Sequence, residues 1–325
     1  MGVVNHAPVA IHATLDSPAA QAQNHRRVKR DRLLPQIIVT GCGYVGERVA
    51  AREQSEGNPV VGIVRSRESA QQLRQKGIEV RVLDLDHRVD LSDLPTSESW
   101  IYYFIAPPPA GQTDPRLERF LNALLPGRLP ARIVLISTTG VYGDCQGQWV
   151  TEDTPPHPQA DRAKRRLAAE NALRAWANQT GTPYAILRVP GIYGPDRSPL
   201  KRLREGEPVL RETESPYSNR VHIDDLVAAC LAAQRQSRSG AVYNICDGHP
   251  STMTDYFFKV ADACGLPRPP QIGLREAQAQ LSSGILSYLA ESKRLDNRRM
   301  REELGVIPRY PDLESGLAAC VGARR

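Results

Sequence analysis

Short apolar runs alternate with helix-like stretches along most of this chain. The first run, Ile37-Ile38-Val39, leads into Gly41-Cys42-Gly43-Tyr44-Val45-Gly46, and residues 47–54 then have a helical composition. The pattern predicts further strands at 60–64, 78–83, 101–106, 132–137, 184–188 and 241–246. Helices are predicted between them at 69–76, 116–125, 161–179 and 224–233, with two more at 253–264 and 293–304. Strands that are apolar throughout are buried on both faces, so the expected fold class is α/β, a doubly wound parallel sheet covered by helices. Residues 190–220, rich in Gly, Pro, Arg and Glu, break the pattern and suit loops and short elements around a ligand.

Composition narrows the class. Of 325 residues, 41% are hydrophobic and 24% charged, which excludes a disordered, collagen-like or coiled-coil chain. No stretch approaches the roughly 20 apolar residues of a membrane span, so no membrane partner is expected. The net charge of +6 suggests a nucleic-acid partner until it is located. Arg26, Arg27, Lys29, Arg30 and Arg32, set against Asp16 and Asp31, place half of it in the first 34 residues. That segment shows no sustained period and lacks the apolar core of a secretory signal. A disordered basic extension is expected there, with a transit peptide as the alternative, and no nucleic acid is expected as a partner. Six cysteines without CxxC pairing or metal-ligand spacing suit a reducing compartment, so the expectation is a cytoplasmic protein with no metal site.

The candidate chemistry begins at the glycines. A lone GxGxxG is a weak signal, but here it follows a strand and opens a helix within a βαβ unit. Gly41 permits the tight turn, Gly43 lets the backbone approach a pyrophosphate, and Gly46 lets the helix pack close to the sheet. The helix N-terminus then faces the negative charge. Residues 41–46, including Cys42, Tyr44 and Val45, are thus the phosphate loop of a Rossmann, NAD(P)-binding sheet; the alternative is a tight turn with no ligand. NAD-binding units place Asp or Glu about 20 residues past the glycines, for the ribose 2′-hydroxyl. Arg65 stands there, followed by Ser66 and Arg67. A guanidinium cannot accept that hydrogen bond but clamps a 2′-phosphate. NADP is therefore expected over NAD, the alternative being an arginine pair on the surface.

Other segments join the glycine loop. They are Asp84-Leu85, Ile136-Ser137-Thr138-Thr139-Gly140-Val141-Tyr142-Gly143, Leu187-Arg188 through Tyr193-Gly194-Pro195, and Arg220-Val221-His222-Ile223-Asp224-Asp225-Leu226. With them, the chain from Pro35 to Leu317 resembles the extended short-chain dehydrogenase/reductases, the NAD(P)-dependent epimerase/dehydratase superfamily. GCGYVG is one residue tighter than that family's GxxGxxG, the mark of an atypical branch. The resemblance implies that Asp84 and Leu85 contact the adenine and that Ala106 lines the cofactor site. It implies an NAD(P)-binding domain of residues 35–189 plus about 221–247. A smaller substrate-side portion would comprise about 190–220 and 248–325.

The family's catalysis uses a Ser or Thr after the fifth strand and a Tyr-x-x-x-Lys pair on the next helix. Thr138, four residues before Tyr142, matches the hydroxyl; its alternative role is a buried group bonded to backbone. The pair has no match. Counting from Thr151-Glu152-Asp153-Thr154-Pro155-Pro156-His157-Pro158 or from Leu167-Ala168-Ala169-Glu170 puts Arg162 at the Tyr position and Arg166 at the Lys position. A second register uses Lys164 and Ala160, and neither register supplies a tyrosine. Arginine stays protonated, so Arg162 is no general acid or base. Arg166 either binds ribose hydroxyls or is one exposed cation in a cluster. Tyr142, Asp144 and Tyr193 are candidate substitute acids, each with a structural alternative, and His222 reads as structural.

Two functions fit. One is an NADP-binding epimerase, dehydratase or reductase acting on a small polar, nucleotide-sugar-like substrate. Its phosphates would meet the basic cluster of Arg188, Arg197, Lys201, Arg202, Arg204, Arg211 and Arg220, the alternative for that cluster being a solvated face. The other is a redox-inactive NADP-binding sensor or interaction protein. Thr138 favours the enzyme and the missing tyrosine favours the sensor. A homodimer is left open.

Overall fold

The apolar runs become strands because helices screen the central ones from water on both sides, while the edge strand Glu79–Val82 is mostly exposed. The structure, a computed structural model, describes Gly2 and residues 34–322, so the expected basic extension lies outside the described residues except for Gly2 and Leu34. The central strands are β1 (Ile37–Thr40), β2 (Val60–Val64), β3 (Glu79–Val82), β4 (Trp100–Tyr103), β5 (Arg132–Thr138), β6 (Tyr184–Val189) and β7 (Ala241–Asn244). They pair in parallel in the order β7-β6-β5-β4-β1-β2-β3. The covering helices are α1 (Tyr44–Ser55), α2 (Arg67–Gln75), α3 (Pro115–Asn122), α4 (Asp161–Thr180) and α5 (Ile223–Gln236). Successive strand residues face opposite layers. Ile37 and Val39 join one core with α1, α2 and α5, while Ile38 joins the other with α3 and α4. This is the expected α/β fold.

Beyond the sheet, α6 (Met253–Ala263) and α7 (Leu313–Gly322) share a third cluster with Tyr193, Leu203 and Val209. The stretch 293–304, expected as one helix, divides in two. Arg294–Leu295 pairs in parallel with Trp149–Val150, and only Arg298–Glu303 is helical. Lys293, Leu295 and Asn297 are 6%, 0% and 7% exposed, a period of two that a strand satisfies and a helix does not. Helix α7 lies in a stretch where the sequence pattern predicts none.

One buried carboxylate orients α4. Glu170 accepts hydrogen bonds from Ser137 Oγ of β5 (2.6 Å) and from Arg188 of β6, through Nε (3.1 Å) and Nη2 (2.8 Å). Arg174, one turn along the helix, donates at 2.9 Å to Oε2, the oxygen that also accepts from Arg188 Nη2. Burial alone would raise the Glu170 pKa, but the hydrogen bonds and charge of Arg188 hold it below the ordinary carboxylate value.

Removing one partner of a buried pair costs about 3–5 kcal/mol, so Glu170→Ala should lose about that much in a urea titration. A depressed folded-state pKa contributes stability that is present above pH ~4 and lost as the pH falls further. Glu170→Gln should therefore flatten the acid limb of the stability profile. An unchanged limb would show that Glu170 is not ionised in the folded protein.

Candidate functional site

The sheet order reverses between β1 and β4, so a crevice opens at the carboxyl ends of these strands. The glycine loop lies on it. Gly41 has φ of +89°, and a Cβ there would sit 2.8 Å from the Ile105 nitrogen just past β4. A Cβ on Gly46 would sit 2.6 Å from the Gly41 oxygen. Gly43 differs from both, because no atom lies within 4 Å of a Cβ built on it. The space beside it is open.

The backbone donors divide in the same way. The N–H groups of Gly41 and Cys42 donate to the Ile63 carbonyl (3.0 and 3.1 Å), and that of Gly43 to Gly41 (2.8 Å). No side chain caps α1 at Gly43. The N–H groups of Tyr44, Val45 and Gly46 head the helix, where intrahelical acceptors are lacking, and suit an anion. Cys42 is buried against Gly62 of β2, and burial pushes its thiol up to about 12, so it is packing and not a nucleophile. The Tyr44 hydroxyl donates to the Pro195 carbonyl at 2.8 Å and ties the loop to the 194–197 turn.

At the end of β2, Arg65 is 70% exposed, with Nη1 3.8 Å from Asp86. Arg116 holds that same carboxylate through two bonds of 2.6 Å, which keeps Asp86 below the usual carboxylate range. Asp86 is thus occupied by Arg116 and leaves the Arg65 charge largely open to solvent. Ser66 caps α2 by accepting from the Ser69 N–H (3.1 Å). Asp84 accepts from the Asp86 N–H (2.9 Å), and the Ala106 carbonyl from Arg116 (2.9 Å). Leu85 is buried in the core and its carbonyl accepts from Arg119 (2.8 Å), so its side chain is out of a ligand's reach.

At the reaction end, Thr138 closes β5 and its Oγ1 accepts from the Gly140 N–H (3.2 Å). Arg162, Arg166 and Glu170 recur every four residues and share one face of α4. Arg166 donates from Nη1 to the carbonyls of Ile105 (3.2 Å) and Ile136 (3.1 Å), bracing the ends of β4 and β5. Lys164 pairs instead with Asp161 (3.2 Å). The Arg162/Arg166 register therefore faces the sheet edge, and the Lys164 register does not. Arg162, one turn further out, donates to Ser287 Oγ (2.5 Å), the Ser287 carbonyl (3.2 Å) and Glu291 (3.2 Å). Its guanidinium lies 3.8 Å from the Tyr288 ring centroid. Sequence reading carried no signal for this contact, which joins residues 125 positions apart.

The two tyrosines expected as substitute acids lie elsewhere. Tyr142 is 1% exposed and donates to Asn244 Oδ1 (2.8 Å), with its pKa pushed up to about 12 by burial. Tyr193 is equally buried, donates to the Asp312 carbonyl (3.3 Å) and meets His222 edge-on. Both hydroxyls are committed within the protein, which corrects the expectation that either serves a ligand. Asp144 accepts from the N–H groups of Gln146 (3.0 Å) and Ser292 (2.9 Å). Among the described residues no cluster of His, Cys, Asp or Glu is placed to hold a metal ion, and no helix is long and apolar enough to cross a membrane.

Residues 37–246 match the model of the NAD dependent epimerase/dehydratase family. The chain belongs to this family. Protein YeeZ of Escherichia coli is 28% identical over 297 residues, spanning 86% of this chain and 97% of YeeZ. A conserved protein of unknown function from Silicibacter pomeroyi has a similar structure, with a TM-score of 0.76 and 28% identity over 90% of this chain and 99% of that one. The UDP-glucuronic acid 4-epimerase of Bacillus cereus, solved with NAD, shares the fold with a TM-score of 0.70 at 21% identity, over 87% and 96% of the two chains. Within an epimerase/dehydratase sheet, crowded Gly41 and Gly46, open Gly43 and an uncapped helix fit a dinucleotide.

That difference between the glycines predicts different phenotypes. Gly43→Val should fold with an unchanged melting temperature and lose NADP binding in calorimetric titration. Gly46→Val should lower the melting temperature, because its Cβ meets backbone. A folded Gly43→Val variant with wild-type affinity would remove the pyrophosphate from this loop.

Proposed function

We propose that the protein is a cytoplasmic, NADP-dependent epimerase, dehydratase or reductase acting on a small polar, nucleotide-sugar-like substrate. The observation that carries this reading is Gly43, whose Cβ position is open beside a helix N-terminus that no side chain caps, within a strand–loop–helix at the sheet's switch point. The N–H groups at the head of α1 hold the pyrophosphate. Arg65, beside Ser66 at the end of β2, takes the 2′-phosphate, and Asp84 and Ala106 border the adenine and the chain of the cofactor. Arg166 presents its remaining donors to the nicotinamide ribose. When bound, the dinucleotide supplies or accepts the hydride. Thr138 accepts from Gly140 and keeps its own O–H to donate to the substrate oxygen. Family relatives named for dTDP- and UDP-sugars support the substrate class. The second reading, a redox-inactive NADP sensor, is favoured by Arg162 in the place of the tyrosine. Turnover of any member of a UDP- and dTDP-sugar panel with bound dinucleotide contradicts it.

The cofactor preference has its own test. A charge-assisted hydrogen bond is worth roughly 1.5–3 kcal/mol, or about tenfold to a hundredfold in affinity. Arg65→Asp should weaken NADP by that factor in calorimetry and leave NAD no weaker. A wild type that binds NAD as tightly as NADP would make Arg65 a surface charge only.

A further inference from the structure

We propose that Tyr288, delivered by the segment Ser283–Leu289, is the proton donor that α4 lacks; the proposal rests on the enzyme reading above. The face of α4 fixes the place. Arg166 lies against the ends of β4 and β5, and Arg162 is one turn nearer the helix N-terminus on the same stripe. A Cβ on Gly140 would lie 3.5 Å from Ala163, which sets this first turn against the Thr138–Gly140 corner. Arg162 therefore projects past the strand ends on the Thr138 side of the sheet.

What Arg162 holds there is a tyrosine. Its guanidinium stacks on the Tyr288 ring and bonds to Ser287 on one side and Glu291 on the other. Glu291 is anchored in turn by buried Lys293 at 2.9 Å. No residue between Ser283 and Leu289 is fully buried, but Leu289 packs against the Leu210, Ile272 and Ala277 cluster, so apolar contact and these polar bonds together hold the segment. Tyr288 is 56% exposed, and among the described residues its hydroxyl makes no hydrogen bond, in contrast to Tyr142 and Tyr193. A phenol that is stacked on a guanidinium, open to a ligand and uncommitted has the features a placed acid needs. In the reductive direction a bound dinucleotide would supply the hydride that the carbonyl carbon needs. Tyr288 gives its phenolic proton to the carbonyl oxygen, the product is the alcohol, and the phenolate regains a proton from water. The oxidative direction runs the same transfers in reverse.

Tyr288→Phe keeps the stacked ring and removes only the hydroxyl. NADPH-linked reduction of 4-nitrobenzaldehyde should fall about 10²–10⁴-fold, with NADPH affinity by calorimetry unchanged. A second readout needs no turnover. With 3-fluorotyrosine at position 288, the ¹⁹F resonance should move on saturation with NADP⁺, and that response should vanish in Arg162→Ala. Undiminished turnover in Tyr288→Phe, a resonance blind to saturating NADP⁺, or a wild type that binds NADPH and reduces nothing each overturns the proposal. A wild type that binds no NADPH overturns the cofactor reading itself, and Tyr288 falls with it.

Discussion

A carboxylate buried among three donors can point only one way, and the reaction edge of this protein is set by that constraint. Glu170 receives Ser137 from β5 and Arg188 from β6, so it fixes both the depth and the rotation of α4 against the sheet. At 1.5 Å per residue, Arg162 lies about 12 Å further along the same stripe. Fixing Glu170 therefore aims Arg166 at the strand ends and carries Arg162 beyond them. The anchor is polar, so it also specifies direction. A purely apolar stripe would tolerate a modest roll of the helix, whereas a paired, desolvated charge does not.

The two ends of the crevice are built from different materials. At the nucleotide end the proposed recognition groups are backbone N–H groups and the space beside Gly43, which any sequence with the right glycines provides. At the reaction end everything depends on side chains, and here Arg162 stands where the family resemblance leads one to expect tyrosine. A guanidinium cannot give up a proton at ordinary pH, but it is a good strut. Its planar face stacks on Tyr288 while its edges bond to Ser287 and Glu291. In the proposed reading, the helix carries a bracket at this position and the acid comes from another segment.

The parts of the fold that were legible in the sequence are those governed by local rules. Strands buried on both faces read as unbroken apolar runs, and Gly41 and Gly46 read as glycines because a Cβ at either would strike backbone. The parts that were not legible depend on distant partners. Lys293 and Asn297 alternate inward with Leu295, but a buried Lys is invisible as a core residue until Glu291 is known to neutralise it. Tyr142 and Tyr193 sit in motifs that lie near ligand edges, yet Asn244 and Asp312 draw their hydroxyls inward. Tyr288 lies in a weakly apolar, exposed stretch whose only distinction is a contact across 125 positions, which no periodicity records.

We propose that the glycine loop, Arg65 and the α4 stripe address one dinucleotide. A crystal structure of the protein soaked with NADP⁺ tests this most directly. The pyrophosphate should lie over Gly43 against the first turn of α1, with the 2′-phosphate on Arg65 and the nicotinamide between Thr138 and the Tyr288 ring. A dinucleotide bound away from Gly43, or one whose nicotinamide faces neither Thr138 nor Tyr288, would contradict it.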